Sequence, residues 1–306
     1  MKLIKDDTHF DFLGKRKISL SVSSLLIVLG FAGYFLMGGF KYGIDFSGGT
    51  LVQVQINESH DISDVRAVLE DGNVGPFSLQ SFGEEGASEY LIILQEAQSQ
   101  TGDGEKTSAG ARVNKVLKEH FPSLAIRRVE SVGPKVGEEL KTAATIAVLA
   151  SLAAIMLYIW LRFQWRYSIG ALIALFHDVL LVLAVFALTQ KEISLPVVAA
   201  VLTVAGYSIN DTIVIFDRIR ESLRRYQKRD LLDSFNLSLN QTLSRTVLTS
   251  ATTLFVVLSL YIFGGEIINN FAFALLLGVI VGTYSSVFVA APMVFILLKR
   301  FPAKLR

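Results

Sequence analysis

The stretch LPVVAAVLTVAGYSINDTIVIF, residues 195–216, decides how this chain is read. A membrane span needs roughly 20 mainly apolar residues, and this run supplies them. Near one end, however, it carries Asn210 and Asp211. An ionised carboxylate at such a depth costs about 2.5–3.5 kcal/mol on insertion scales, so a partner or a proton must offset it. Either Asp211 only ties helices together, or it marks a path for protons or ions. Its surroundings favour the second reading.

Composition points the same way. Of 306 residues, 52% are hydrophobic and only 18% are charged, with a clearly positive mean hydropathy. Soluble domains carry about 25% charged residues, so the chain is read as an integral membrane protein. With no cysteine, disulfides, thiolate metal sites and thiol nucleophiles are excluded. The net charge of +2 matters less than where the Lys and Arg residues lie.

Scanning outward from 195–216 gives six candidate spans: 18–37, 143–161, 169–188, 195–216, 247–263 and 271–298. The first follows Lys15, Arg16 and Lys17 as a secretory signal would, but its apolar run is nearly twice the usual length and no small-x-small site follows, so it is expected to be retained. The segments 1–17, 162–168, 217–244 and 299–306 hold five, two, six and four Lys or Arg, against one in 189–194 and none in 264–270. The positive-inside bias then puts both termini and the loop 217–244 in the cytoplasm, and residues 38–142 on the far side.

Residues 38–142 read as a separate α+β domain. Residues 51–56 alternate as a strand, and 61–71 form a helix capped by Asp61 or Ser63. Strands follow at 77–82 and 90–95 around a polar turn at 83–86. A flexible stretch at 98–108, a helix at 109–120 and a last strand at 125–132 complete a βαββαβ, ferredoxin-like order. His60 and His120 have no partners at metal spacing and are expected to be ordinary surface or capping residues. The domain is read as a binding or lever module. The whole is a six-helix membrane bundle with this domain between helices 1 and 2.

Three further features belong to the bundle. His177 and Asp178 lie roughly 14 Å inside the third span, and Asp211 lies roughly 9 Å inside the fourth, close enough in depth to share a hydrated cavity. Arg245 stands at the mouth of the fifth span with Thr242, Thr249, Thr252 and Thr253, a polar stripe expected to face the bundle. Arg245 is either an ordinary interfacial arginine or a partner that pairs with ionised Asp211 and is released when Asp211 takes up a proton. In the sixth span Gly278, Gly282, Ser285, Ser286 and Ala290 make a small-residue face suited to close helix packing.

The same residues carry a family resemblance along nearly the whole chain. YGIDFSGGT (42–50) contains Gly43, Asp45, Phe46, Gly48 and Gly49, and is followed in order by VESVGPKVG (129–137), FQWR (163–166) and ALFHD (174–178). GYSINDTIV (206–214), DRIRE (217–221) and NQTLSRT (240–246) complete the series. Together they resemble the SecF family, the smaller partner of the bacterial SecD/SecF export pair. The Gly48-Gly49 run is not a phosphate loop, because no Lys-Ser/Thr follows and it opens no helix; a tight turn into the first strand is expected.

What the resemblance implies goes further. SecF-like proteins have six helices of the resistance-nodulation-division (RND) type and pair with SecD in the bacterial inner membrane. They contact the SecYEG channel and YajC, and use the proton-motive force to draw preproteins out late in export. In that family the residues matching Asp211 and Arg245 are implicated in proton passage, with Asn210, His177 and Asp178 as further candidates here. No cofactor beyond the proton gradient, no nucleic acid and no enzymatic chemistry are expected. A stand-alone proton-coupled small-molecule exporter and a purely structural subunit are the alternatives.

Overall fold

The structure is a computed structural model that describes residues 8–56, 60–82, 89–94 and 109–301. The expected turn at 83–86 and the stretch 98–108 lie outside the described residues. The chain divides into two compact units, Tyr42–Thr145 and Met1–Lys41 with Ile146–Arg306.

The first unit is built on a sheet of β1 (Gly49–Ile56), β2 (Phe77–Phe82), β3 (Glu89–Leu94) and β4 (Leu124–Val132). The strands run in the order β2-β3-β1-β4 with every pair antiparallel. The order is that of a split βαβ unit, in which β3 separates β1 from β2. Period-two alternation sends Val52, Val54 and Ile56 of β1 and Tyr90, Ile92 and Leu94 of β3 to one face. There they meet Val65 and Leu69 of α3 (Ile62–Asp71) and Val113 and Leu117 of α4 (Ala109–His120), all fully buried. Asp61 caps α3: its carboxylate accepts from the Ser63 N–H, while Asp64 accepts from the Asp61 N–H, each at 3.3 Å. His60 packs at a tilt against Phe121, ring centroids 4.8 Å apart, and His120 lies 3.1 Å from the Val116 carbonyl.

The glycine-rich motif closes this sheet. One helical turn, α2 (Ile44–Ser47), is followed by Gly48 at φ 70° and Gly49 at φ 136°, a region that side chains avoid. A Cβ on Gly49 would stand 2.4 Å from the Leu94 carbonyl oxygen, and one on Gly48 would stand 2.9 Å from Pro134 Cα. The motif is therefore where three stretches of backbone meet.

Among the described residues six helices are long and apolar enough to cross a membrane. They are α1 (Arg16–Leu36), α5 (Pro134–Arg162), α6 (Trp165–Thr189), α7 (Leu195–Arg225), α8 (Leu231–Phe263), and a sixth path through α9 (Gly265–Ser285), a π-helical segment (Ser286–Ala290) and α10 (Ala291–Arg300). These helices outrun the apolar stretches seen in sequence. The expected loop 217–244 is mostly helix, because Ile219 and Leu223 keep the buried face of α7 going through the charged run, and α8 restarts at the Asp230 cap. Charge ends an apolar run without ending a helix.

Small residues set the helix contacts. Gly30 and Gly33 of α1 face Ala184 and Leu188 of α6, and Gly278 and Gly282 of α9 face Val204 and Ser208 of α7. The N-terminal segment is strapped to α8 by two asparagines one turn apart. Asn240 accepts from the Phe10 N–H and donates to its carbonyl, both at 2.9 Å. Asn236 accepts from the Leu13 N–H at 3.0 Å and donates to Asp11 at 2.8 Å. Leu13 itself is fully buried.

Candidate functional site

Two carboxylates lie inside the bundle, and their surroundings differ. Asp178 on α6 is 0% exposed and is met from three sides. His177 Nδ1 lies 3.0 Å from Oδ1, while Ser208 of α7 and Ser285 of α9 donate to Oδ2 at 2.6 and 2.8 Å. A buried carboxylate is tolerated when such donors satisfy it. His177 stacks on Tyr284 of α9, and its Nε2 is buried with no partner.

Asp211 on α7 is equally enclosed, at 4% exposed, but far less satisfied. Its one hydroxyl contact is Ser250 of α8, whose Oγ is 3.5 Å from Oδ2. Ser250 is shared with Thr283 of α9 at 2.7 Å. Among the described residues no ion pair joins Asp211 to Arg245. Arg245 is exposed and lines an open cavity of about 380 Å³ with Arg162, Asp217, Arg218, Glu221 and Gln241. In that cavity the two carboxylates are already occupied, Asp217 by Arg162 at 3.7 Å and Glu221 by Arg218 at 2.5 Å.

The helix geometry explains which candidates converge. Buried positions of α7 recur at three and four residues through Val204, Ser208, Asp211, Thr212 and Ile215, which places Asp211 inward. Asn210, one residue earlier, is turned about 100° away and is exposed.

The threonine stripe expected to face inward needs correction. Thr242 is buried, but Thr249 and Thr253 are half-exposed and Thr252 is exposed. The buried polar line is Ser234, Ser238, Thr242, Thr246 and Ser250, spaced by four. An i±4 ridge is inclined to the helix axis, and α8 is covered along that ridge by its neighbours. The regular four-residue repeat of hydroxyls was the signal that could have found it.

The sixth span departs from a single helix where Pro292 interrupts it. Proline offers no N–H to the carbonyl four residues back, that of Phe288. Ser19 of α1 faces the gap, its Oγ 3.3 Å from the Phe288 oxygen and 3.0 Å from the Arg16 carbonyl of its own helix. Thr212 and Ser286 join α7 to the start of the π-helical segment at 2.9 Å.

These features define a class: a six-span membrane protein whose bundle holds one well-bonded and one poorly bonded buried carboxylate, with a split βαβ unit inserted between its first two spans. The family model for the protein export membrane protein SecD/SecF, C-terminal, matches residues 112–300, and that for the SecD/SecF GG motif matches residues 34–59. The chain is 43% identical over 301 residues to the protein translocase subunit SecF of Calditerrivibrio nitroreducens, covering 97% of both chains. It is 41% identical over 297 residues to that of Rickettsia bellii, covering 97% of this chain and 96% of the relative. The crystal structure of SecDF, a translocon-associated membrane protein from Thermus thermophilus, matches at a TM-score of 0.84 and 33% identity; 97% of this chain is covered but only 40% of that one. The chain belongs to the SecD/SecF family of protein-export membrane proteins, on its SecF side.

Proposed function

We propose that this chain is an accessory subunit of the Sec translocase that works with a SecD partner and spends proton-motive force on late steps of preprotein export. On this reading both termini are cytoplasmic, residues 38–142 face the far side of the inner membrane, and SecYEG, YajC and the emerging preprotein are its contacts. The role is transport, not bond-making chemistry, and the proton gradient is its only energy source.

The observation that carries the reading is the environment of Asp211. Among the described residues it is a carboxylate shut inside the bundle with one long hydroxyl contact and no cation at pairing distance. Ionised, such a group is costly; a proton removes the cost, and Arg245 approaching from the cavity would do the same. One proton crossing about 100 mV supplies about 2.3 kcal/mol, enough to bias a two-state element. Burial of His177 and Asp178 beside the same helices supports placing them on the path.

The test is preprotein completion in vesicles holding SecYEG, SecD and this chain, with and without a proton gradient. The gradient should speed completion with wild type and have no effect with Asp211→Asn. Equal responses from both would assign the chain a structural role, and gradient-driven efflux of small molecules without SecYEG would make it an exporter.

A further inference from the structure

One short segment at the end of α9 and the start of the π-helical turn, residues 283–286, bonds one buried carboxylate and reaches the surroundings of the other. Ser285 donates to Asp178, and Thr283 meets Ser250, the hydroxyl nearest Asp211. Between and beside them, Ser286 bonds Thr212, the residue next to Asp211, and lies 3.3 Å from the carbonyl of Ser208, whose own hydroxyl bonds Asp178. Residues 283–286 therefore touch the surroundings of Asp178 and Asp211 at once, from α6, α7 and α8.

At the last residue of this segment the regular helix gives way. Ser286–Ala290 is π-helical, and Pro292 leaves the Phe288 carbonyl to Ser19. Single π-turns are rare inside helices and are frequent at functional sites. A helix bonded to Asp178 through Ser285 and linked towards Asp211 through Thr283 and Ser250, with an irregular joint starting at Ser286, has the parts of a latch.

We infer that Asp178 and Asp211 are coupled through residues 283–286, the end of α9 and the first π-helical residue, and that the rest of the π-helical joint, 287–290, is what yields when the proton occupancy of Asp211 changes. Among the described residues the titratable and charged groups facing this clasp are His177 and Asp178 from α6, Asp211 from α7, Tyr284 from α9 and, at longer range, Arg245 from α8, which acts electrostatically on Asp211; α1 contributes Ser19 and Ser23, and α8 also contributes Ser250. Thr283 and Ser285 are positioning residues, and Asp178 is the bonded anchor of the clasp. The inference rests on proton uptake at Asp211 and adds the route by which that event reaches the end of the chain.

Because the chain has no cysteine, a spin label on Ile296→Cys, an exposed site on α10, reports the helix below the joint without background. The full chain with its SecD partner in lipid is measured across pH. Wild type should show a pH-dependent change in label mobility that disappears in Asp211→Asn. Ser285→Ala and Thr283→Val remove hydroxyls and alter no charge, so they should move its midpoint about fivefold or more in proton concentration, a typical coupling between linked sites. Thr283→Ser keeps the hydroxyl and should restore the wild-type midpoint. A transition abolished by Asp211→Asn but unmoved by the hydroxyl variants overturns the clasp and leaves proton uptake at Asp211 intact. No transition in wild type overturns the joint, while the vesicle assay still judges the export reading separately.

Discussion

Val204 fills the space that any side chain on Gly278 would need. A Cβ at Gly278 would lie 2.0 Å from Val204 Cγ2, and Val204 is only 1% exposed. Inside lipid there is no hydrophobic gain from bringing helices together, so close backbone approach between small residues is the means of holding α7 to α9. Overpacking costs about 1–3 kcal/mol, and a β-branched neighbour has few rotamers in which to retreat. Gly278→Val should therefore lower the thermal unfolding temperature of the purified chain, and Val204→Ala in the same chain should recover most of the loss. Equal destabilisation with and without Val204→Ala would show that the two helices are held elsewhere.

The break in the sixth span makes a second prediction. Ser19→Ala removes the hydroxyl that the Phe288 carbonyl shares with that of Arg16, at a turn where Pro292 supplies no N–H. Such a loss costs about 1–3 kcal/mol. Pro292→Ala restores an N–H in that turn, so it should rescue Ser19→Ala and reduce hydrogen exchange across Ser286–Ala290. Rescue failing in the double variant would mean that the π-helical segment is fixed by other contacts.

In the domain between the first two spans, Gly49 is the sensitive position. Its φ of 136° is foreign to side chains, and a Cβ would meet the Leu94 carbonyl oxygen at 2.4 Å. Gly49→Ala should cost about 1–3 kcal/mol from backbone strain alone and speed hydrogen exchange in β1 and β3 of the full chain. Gly133 has no heavy atom within 4 Å of a Cβ and no positive φ, so Gly133→Ala should leave exchange unchanged. A matching effect at both positions would count against the close approach at Gly49.

Asp178 and Asp211 were legible in the sequence because a carboxylate among apolar residues is rare enough to stand out at once. Their partners were not. Ser208, Ser250, Thr283 and Ser285 are common residues in membrane helices, and a hydroxyl that bonds a carboxylate looks the same in sequence as one that bonds its own helix, as Thr203 and Ser259 do. The strands themselves followed from alternation, since period two cannot be mistaken when Val52, Val54 and Ile56 all face one core. Helix ends did not, because Pro134 and Asp230 start helices in polar sequence where hydropathy sees only loops. Arg245 shows the remaining gap: spacing placed it near Asp211 along the membrane normal, but not on which side of α8 it would project.

The N-terminal strap gives a prediction in pH. The Asp11 carboxylate accepts from the Gly14 N–H and then from Asn236, and these bonds hold it below the usual carboxylate range. A group with a lowered folded-state value contributes fully above its unfolded value, about 3.9, and loses that contribution as pH falls through the folded value. The strap should thus stay in place through mildly acid conditions and loosen only below the ordinary range of aspartates. A spin label on His9→Cys, at an exposed position, should be immobile near neutral pH in wild type and gain mobility only in strong acid. In Asp11→Ala the same label should be mobile already at neutral pH, while Asn240→Ala, which frees Phe10 without touching the carboxylate, should raise mobility at every pH equally. If Asp11→Ala leaves the label as immobile as wild type, the two asparagines hold the segment without it.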